Sequence, residues 1–201
     1  MSLGNNTLAL RCFQEQLERA RELKDAMGEA QAFGNMGITR MNLSHFEEAI
    51  ANFESQLRSL EKTAKAGAKE KARVLGNLGD CYDALGLLGQ SVGYHEQFLA
   101  LALKSRSLRD QDRAYRGLGN THRNLGNLQD ALVSGECLTL PGDSLALFCQ
   151  VCFEKRLVIS HDLSEPGASA AAYGELGDIH RMLGHFEQSI SCMERRIEMA
   201  R

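Results

Sequence analysis

Apolar residues along this chain recur three and four positions apart, in blocks separated by short polar or glycine-bearing stretches. That spacing lines one face of a helix, which completes a turn every 3.6 residues. The blocks also repeat. AFGNMGITRMNLSHFEEAI from Ala32, VLGNLGDCYDALGLLGQSV from Val74, AYRGLGNTHRNLGNLQDAL from Ala114 and AYGELGDIHRMLGHFEQSI from Ala172 align with one another. Gly37, Gly79, Gly119 and Gly177 mark equivalent places, separated by 42, 40 and 58 residues. Phe13, Phe53, His95, Phe153 and Met193 form a second series with spacings of 40, 42, 58 and 40. Two independent markers with one period indicate an internal repeat, which takes precedence over local preferences.

Each unit reads as a pair of helices. The first carries Phe33, Leu75, Tyr115 or Tyr173 and then the marker glycine, whose missing side chain lets a neighbouring helix approach. The turn is expected at Ser44, Gly86, Gly126 and Gly184, since glycine accepts left-handed backbone angles. The second helix opens near Phe46, Leu88, Leu128 or Phe186, with Ala49, Ser91, Ala131 and Ser189 as its small contact residues. A single pair cannot cover its own apolar face, so the pairs must stack. The expectation is an all-α solenoid, an α-α superhelix of about nine helices. It forms one array over 1–201: the second helix of a partial unit at 1–27, then units at about 28–68, 69–108, 109–166 and 167–201. No polar capping element closes either end, so the chain reads as a piece of a longer array or a shortened isoform.

These positions resemble the tetratricopeptide repeat over nearly the whole chain. The Leu-Gly pair, the small residue twelve positions on and the aromatic four after that all have counterparts here. The period of 40 is similar to that of the Pins/LGN group of cell-polarity scaffolds. No tryptophan opens a unit and no proline closes one, a departure consistent with the long-period type. The resemblance implies a non-catalytic protein-binding scaffold with a role in cell division, in the cytoplasm and around the spindle or midbody.

The spacing of 58 exceeds 40 by eighteen residues, and joining DALV to CFEKRL would restore an ordinary repeat. The insertion is therefore Ser134–Val151, SGECLTLPGDSLALFCQV, a pattern expected of an alternative exon boundary. Gly135, Pro141 and Gly142 oppose a continuous helix, interior proline alone costing roughly 3 kcal/mol or more. The expected outcome is a replacement helix capped by Asp143 or Ser144 and starting at Leu145. Cys149 then stands in for Ala131, Gln150 for Leu132, and 134–143 form a loop. The competing expectation is a bulged original helix; either way local stability falls at this repeat, and a destabilised isoform with impaired binding is an alternative for the function.

Composition narrows function by exclusion. A net charge of −3 offers no field for nucleic acid. No apolar run approaches the roughly 20 residues that span a bilayer, and the opening MSLGNNTLALRCF lacks the pattern of a signal peptide. Six cysteines are then expected as reduced thiols in the cytoplasm. Cys149-x-x-Cys152 lacks a second ligand pair, while Cys12, Cys152 and Cys192 share one packing position, so no metal is expected. The histidines also follow the repeat: His122 and His180 share a position with Tyr82, and His45 and His185 fall together at turns. The glycines of GNLGDC and GLGN lie inside predicted helices, without the strand and lysine of a phosphate loop. Neither an enzyme nor a cofactor is expected. The lysines between Lys62 and Arg73 read as a solvated turn between units.

A partner would meet the first helices. Their groove positions are Asn35 in the first unit and Arg73, Asn77, Asp80 and Asp83 in the second. The third unit contributes Arg113, Arg116, Asn120 and Arg123, and the fourth Glu175, Asp178 and Arg181. Amides suit an extended backbone and arginines suit carboxylates, so a protein or peptide of acidic character is expected. Gly34, Gly76, Arg116 and Gly174 stand where chaperone-binding relatives use a clamp lysine, which disfavours that role. End-to-end self-association through apolar terminal faces is a further expectation. The alternative is a regulatory repeat module of a larger protein, sensing a ligand or docking an enzyme.

Overall fold

The computed structural model describes residues 3–63, 67–132 and 142–199. Among them are nine α-helices and no strand: α1 (Leu3–Glu22), α2 (Ala26–Asn42), α3 (Phe46–Glu61), α4 (Ala68–Ala84), α5 (Leu88–Lys104), α6 (Leu108–Leu132), α7 (Gly142–Asp162), α8 (Pro166–Met182) and α9 (Phe186–Met199). The chain divides into two compact units, Met1–Leu101 and Ala102–Arg201. In the first, α2 packs on α1 and α3, and α3 on α4; in the second, α7 packs on α6 and α8, and α8 on α9. The all-α repeat architecture is as the periodicity predicts.

The marker glycines explain how each pair closes. A Cβ on Gly37 would lie 2.6 Å from the Phe53 ring, and one on Gly79 would lie 2.7 Å from the His95 imidazole. The same position on Gly119 is 2.7 Å from Phe153, and on Gly177 2.8 Å from Met193. Each first helix therefore offers a hole that the large residue of its partner fills. One helical turn earlier, the small residue approaches the same backbone. Ser91 Oγ donates to the Gly79 carbonyl at 3.0 Å, and Ser189 Oγ to the Gly177 carbonyl at 2.8 Å. Around these contacts the core of unit 1 gathers Ala49, Ile50, Phe53, Leu60, Val74, Leu78 and Cys81, and that of unit 2 gathers Cys149, Phe153, Leu176 and Ile179.

Three of the four predicted turns occur with positive φ: Ser44 at 60°, Gly86 at 72° and Gly184 at 75°. The residue after each donates back to the carbonyl five residues earlier, as His45 N to Arg40 O at 2.9 Å does. Gly126 is the exception. No turn forms there, and α6 runs through it to Leu132. Separated from CFEKRL, the segment after Asn124 no longer needs to begin a second helix. Extending α6 adds one hydrogen bond per residue without a new nucleus.

The second helix of this pair is α7, and it opens at Gly142, three residues before the expected Leu145. Glycine's helix penalty is largest in a helix interior, and Gly142 stands at the first position of α7. Cys149 sits where the repeat wants a small residue. It is buried, and its Sγ donates to the Gly119 carbonyl at 3.5 Å, as the serines do elsewhere. Of the expected loop, residues 134–141 lie outside the described residues. The lysine-rich stretch is corrected in part: Lys69, Lys71 and Arg73 lie in α4, because AKEKAR consists of strong helix formers once Gly67 has opened the helix.

Candidate functional site

In unit 1 the groove positions converge on a cleft of about 440 Å³ between α2, α3 and α4. Asn35 and Asn77 line it, with Gln31 and Gln56 adding two more amides. Arg73 brings one cation, and Asp25 and Glu70 bring two anions. Ile38, Leu60 and Val74 supply an apolar share of the wall. Gly34 shapes the floor: a Cβ there would lie 2.5 Å from Gln56 Nε2, so the missing side chain admits the glutamine amide. Gln56 is a second-helix residue that a search confined to first helices passes over. Its position, three residues after the glycine-filling Phe53, is one the repeat register could have flagged.

The remaining groove positions of unit 1 lie outside this cleft. Asp80 faces the buried His95, with Oδ1 3.7 Å from Nε2. Asp83 is half-buried near the end of α4. Tyr82, beside it, stacks on Tyr94 with ring centres 5.2 Å apart.

Unit 2 has a different, charged construction. Arg156 of α7 is 3% exposed in its side chain. Its Nε donates to Asp112 Oδ1 of α6 at 2.9 Å, and its Nη1 donates to the carboxylate of Glu175 on α8. One buried guanidinium therefore ties three helices. Burial pushes the Glu175 carboxyl above its ordinary range, against the pull of Arg156, Arg123 and Arg116. Arg116 is exposed, and Arg123 is half-buried with its Nη2 donating to Asn120 Oδ1 at 3.1 Å. Arg113 is half-buried on the same helix. Asp178 and Arg181 pair with each other at 3.7 Å on α8 and largely cancel.

Candidate chemistry at sulfur is weak. Burial pushes the thiols of Cys81 and Cys152 to about 12 and that of Cys149 to about 11, so all three are protonated and poorly nucleophilic. Among the described residues no group of three His, Cys, Asp or Glu is placed to hold a metal ion. Among them, too, no helix is long and apolar enough to cross a membrane.

A sequence model described as tetratricopeptide repeat matches residues 74–112, and a second of the same description matches residues 170–201. Among curated proteins, none matches this sequence. Solved structures share the fold at low identity. A kinesin light chain of nearly identical TPR-like repeats from Podosopora anserina is 14% identical with a TM-score of 0.70, over 98% of this chain and 88% of that one. MamA is 15% identical with a TM-score of 0.64, over 100% and 95%. The apo form of RapI is 16% identical with a TM-score of 0.53, over 98% of this chain and 62% of that one. The helical pairs, the glycine-and-plug register and these two repeat matches support placing the chain with the tetratricopeptide repeat proteins.

Proposed function

We propose that this chain is a non-catalytic protein-interaction scaffold that holds a partner peptide or helix along its first helices. The observation that carries the reading is the unit 1 cleft, where four amides and one arginine line a volume of about 440 Å³. Amides arranged on apolar walls satisfy the donors and acceptors of an extended backbone without demanding one side-chain sequence. The arginines of unit 2 favour a partner of acidic character. The groove residues are read as a partner surface within each unit.

The finer reading comes from resemblance. The wording LGNLGDCYDALG and LGHFEQSISCMERR is similar to that of tetratricopeptide repeat protein 28, alongside the Pins/LGN group. A place in cell division at the spindle or midbody is proposed on that footing alone. The in-register burial of Cys149 and Arg156 supports a folded third pair over a damaged one.

The test is affinity capture from dividing cells with the wild-type chain, Asn35→Ala/Asn77→Ala, and Arg116→Ala/Asn120→Ala/Arg123→Ala. Circular dichroism checks the fold of each variant. A partner held by the wild type and lost with either groove variant supports the proposal. Equal capture by all three would overturn it.

A further inference from the structure

α7 carries apolar residues on a face that the repeat does not use. Its Cys149, Cys152, Phe153 and Arg156 are buried. Leu147, Val151, Glu154 and Val158 follow at intervals of four, three and four residues, so they form one stripe on the opposite side of the helix. Leu147 is 59% exposed, Val151 45% and Val158 60%. The places of these three apolar residues are taken by Glu47, Ala51 and Arg58 on α3, and by Glu187, Ser191 and Glu198 on α9. Packing within the repeat therefore asks for no apolar side chain there. The insertion widens the stripe: with Ser134–Val151 removed, Gln129 would stand in the place of Leu147.

The exposed residues of this face are complementary to themselves. Outward from the bond between Glu154 and Lys155, the sequence meets Glu154 and then Val151 in one direction, Lys155 and then Val158 in the other. A two-fold axis through that point crosses two α7 helices antiparallel. It sets each Val151 against the partner's Val158 and each Glu154 beside the partner's Lys155. Leu147 extends the apolar contact by one turn at each end. Parallel pairing would set Glu154 against Glu154 and lose this match. Both charged side chains are exposed, and Glu154 accepts from the neutral Gln150 amide at 2.8 Å. Among the described residues neither is held in an ion pair of its own chain.

We propose that the outer face of α7 is a homotypic contact, through which two copies of this chain associate antiparallel along Leu147, Val151 and Val158. The surface lies on a second helix, apart from the first-helix groove positions, so the inference goes beyond the peptide-binding reading and does not depend on it. An isologous contact of this kind closes on itself and gives a dimer instead of a filament. Three apolar side chains are little beside the roughly 800 Å² that each partner gives to a standard interface. Association is therefore weak, with half-dimerisation expected on the order of 100 µM. A dimer would present two grooves at once, so a ligand with two binding segments would gain avidity.

The test is sedimentation equilibrium of the full chain at low salt, in an Ile190→Glu/Ile197→Glu background so that the apolar face of α9 contributes nothing. The expected result is a monomer–dimer equilibrium, weakened about tenfold or more by Leu147→Glu/Val158→Glu. Glu154→Lys alone and Lys155→Glu alone each bring like charges together twice per dimer and should weaken it about fivefold. Combining the two restores opposite charges across the axis and should return association to within about twofold of the background. All four substituted residues are exposed, and circular dichroism checks that each variant folds. If Leu147→Glu/Val158→Glu does not fold, the charge exchanges decide alone. A monomer at every concentration up to about 1 mM would overturn the inference. So would a combined exchange that associates no more tightly than the single ones, or a dimer indifferent to all of them.

Discussion

Gly126→Ala separates the long α6 from the two-helix arrangement that the repeat pattern leads one to expect. Within a continuous helix, alanine for glycine gains roughly 0.8–1 kcal/mol. Nothing lies within 4 Å of where the new methyl would stand, so no clash subtracts from that gain. Gly86 and Gly184, its repeat equivalents, have φ of 72° and 75°. There alanine would lose about 1–2 kcal/mol to left-handed strain. Gly119→Ala is the internal control on the same helix. Its Cβ would meet the fully buried Phe153 ring at 2.7 Å, and overpacking of about 1–3 kcal/mol outweighs the helix gain. Urea unfolding followed by far-ultraviolet circular dichroism reads all three. The expected order is Gly126→Ala above wild type, with Gly119→Ala and Gly86→Ala below it. For a cooperative unit of about 100 residues, 1 kcal/mol moves Tm by roughly 4 °C or more, which is easily resolved. A loss of about 1 kcal/mol in Gly126→Ala would show that the chain turns there as it does at Gly86, and the description of α6 would fall.

Other consequences are equally direct. Arg156→Ala removes the shared partner of Asp112 and Glu175 and should cost about 3 kcal/mol in urea titrations; a loss below about 1 kcal/mol would mean that water already screens the site. The raised pKa of Glu175 means the folded state binds its proton more tightly than the unfolded state. This contribution to stability should therefore grow as pH falls from neutrality towards the ordinary carboxylate range, and it should vanish in Glu175→Gln; a pH profile unchanged by the substitution refutes that assignment. Brief alkylation at pH 8 followed by peptide mapping should modify exposed Cys12 and spare Cys81, Cys149 and Cys152 until denaturant is added. Phe186, Ile190 and Ile197 are exposed on α9, whereas Phe46, Ile50 and Leu57, their equivalents on α3, pack against the core of unit 1. Light scattering should therefore detect concentration-dependent association, weakened by Ile190→Glu/Ile197→Glu, while a strict monomer at high concentration counts against it.

The helical pairs were legible because the repeat restates them: Gly37, Gly79, Gly119 and Gly177 each mark a packing hole that one sequence position must leave open. Cys149 was legible for the same reason, since the hole and the carbonyl beside it fix what α7 must present there. The course of α6 past Gly126 was not. Glycine is compatible with both a turn and a helix interior, and only the fate of the chain beyond decides which forms. Non-glycine turns with positive φ at Lys24, Arg106 and Ser164 were missed as well, because no residue type announces them. At the groove, first-helix positions such as Asn35 and Asn77 could be read from the repeat register. Gln56 and Arg156 could not be read that way, because they reach across from the second helix. Asp112 in an otherwise alanine position was the overlooked sign that a buried cation lay opposite.

Three residues join first to second helix at 43–45, 85–87 and 183–185, but nine, 133–141, separate α6 from α7. Tripling a connection raises its closure cost by only about 1 kcal/mol. Within the third pair, α6 and α7 meet through Gly119, Cys149 and Phe153, contacts that lie on the helices themselves. If those contacts set the register, a foreign sequence spliced into that interval, or a cut there with the halves supplied separately, should leave the pair able to form. What the added residues give this protein is a repeat whose halves can be treated as separate parts.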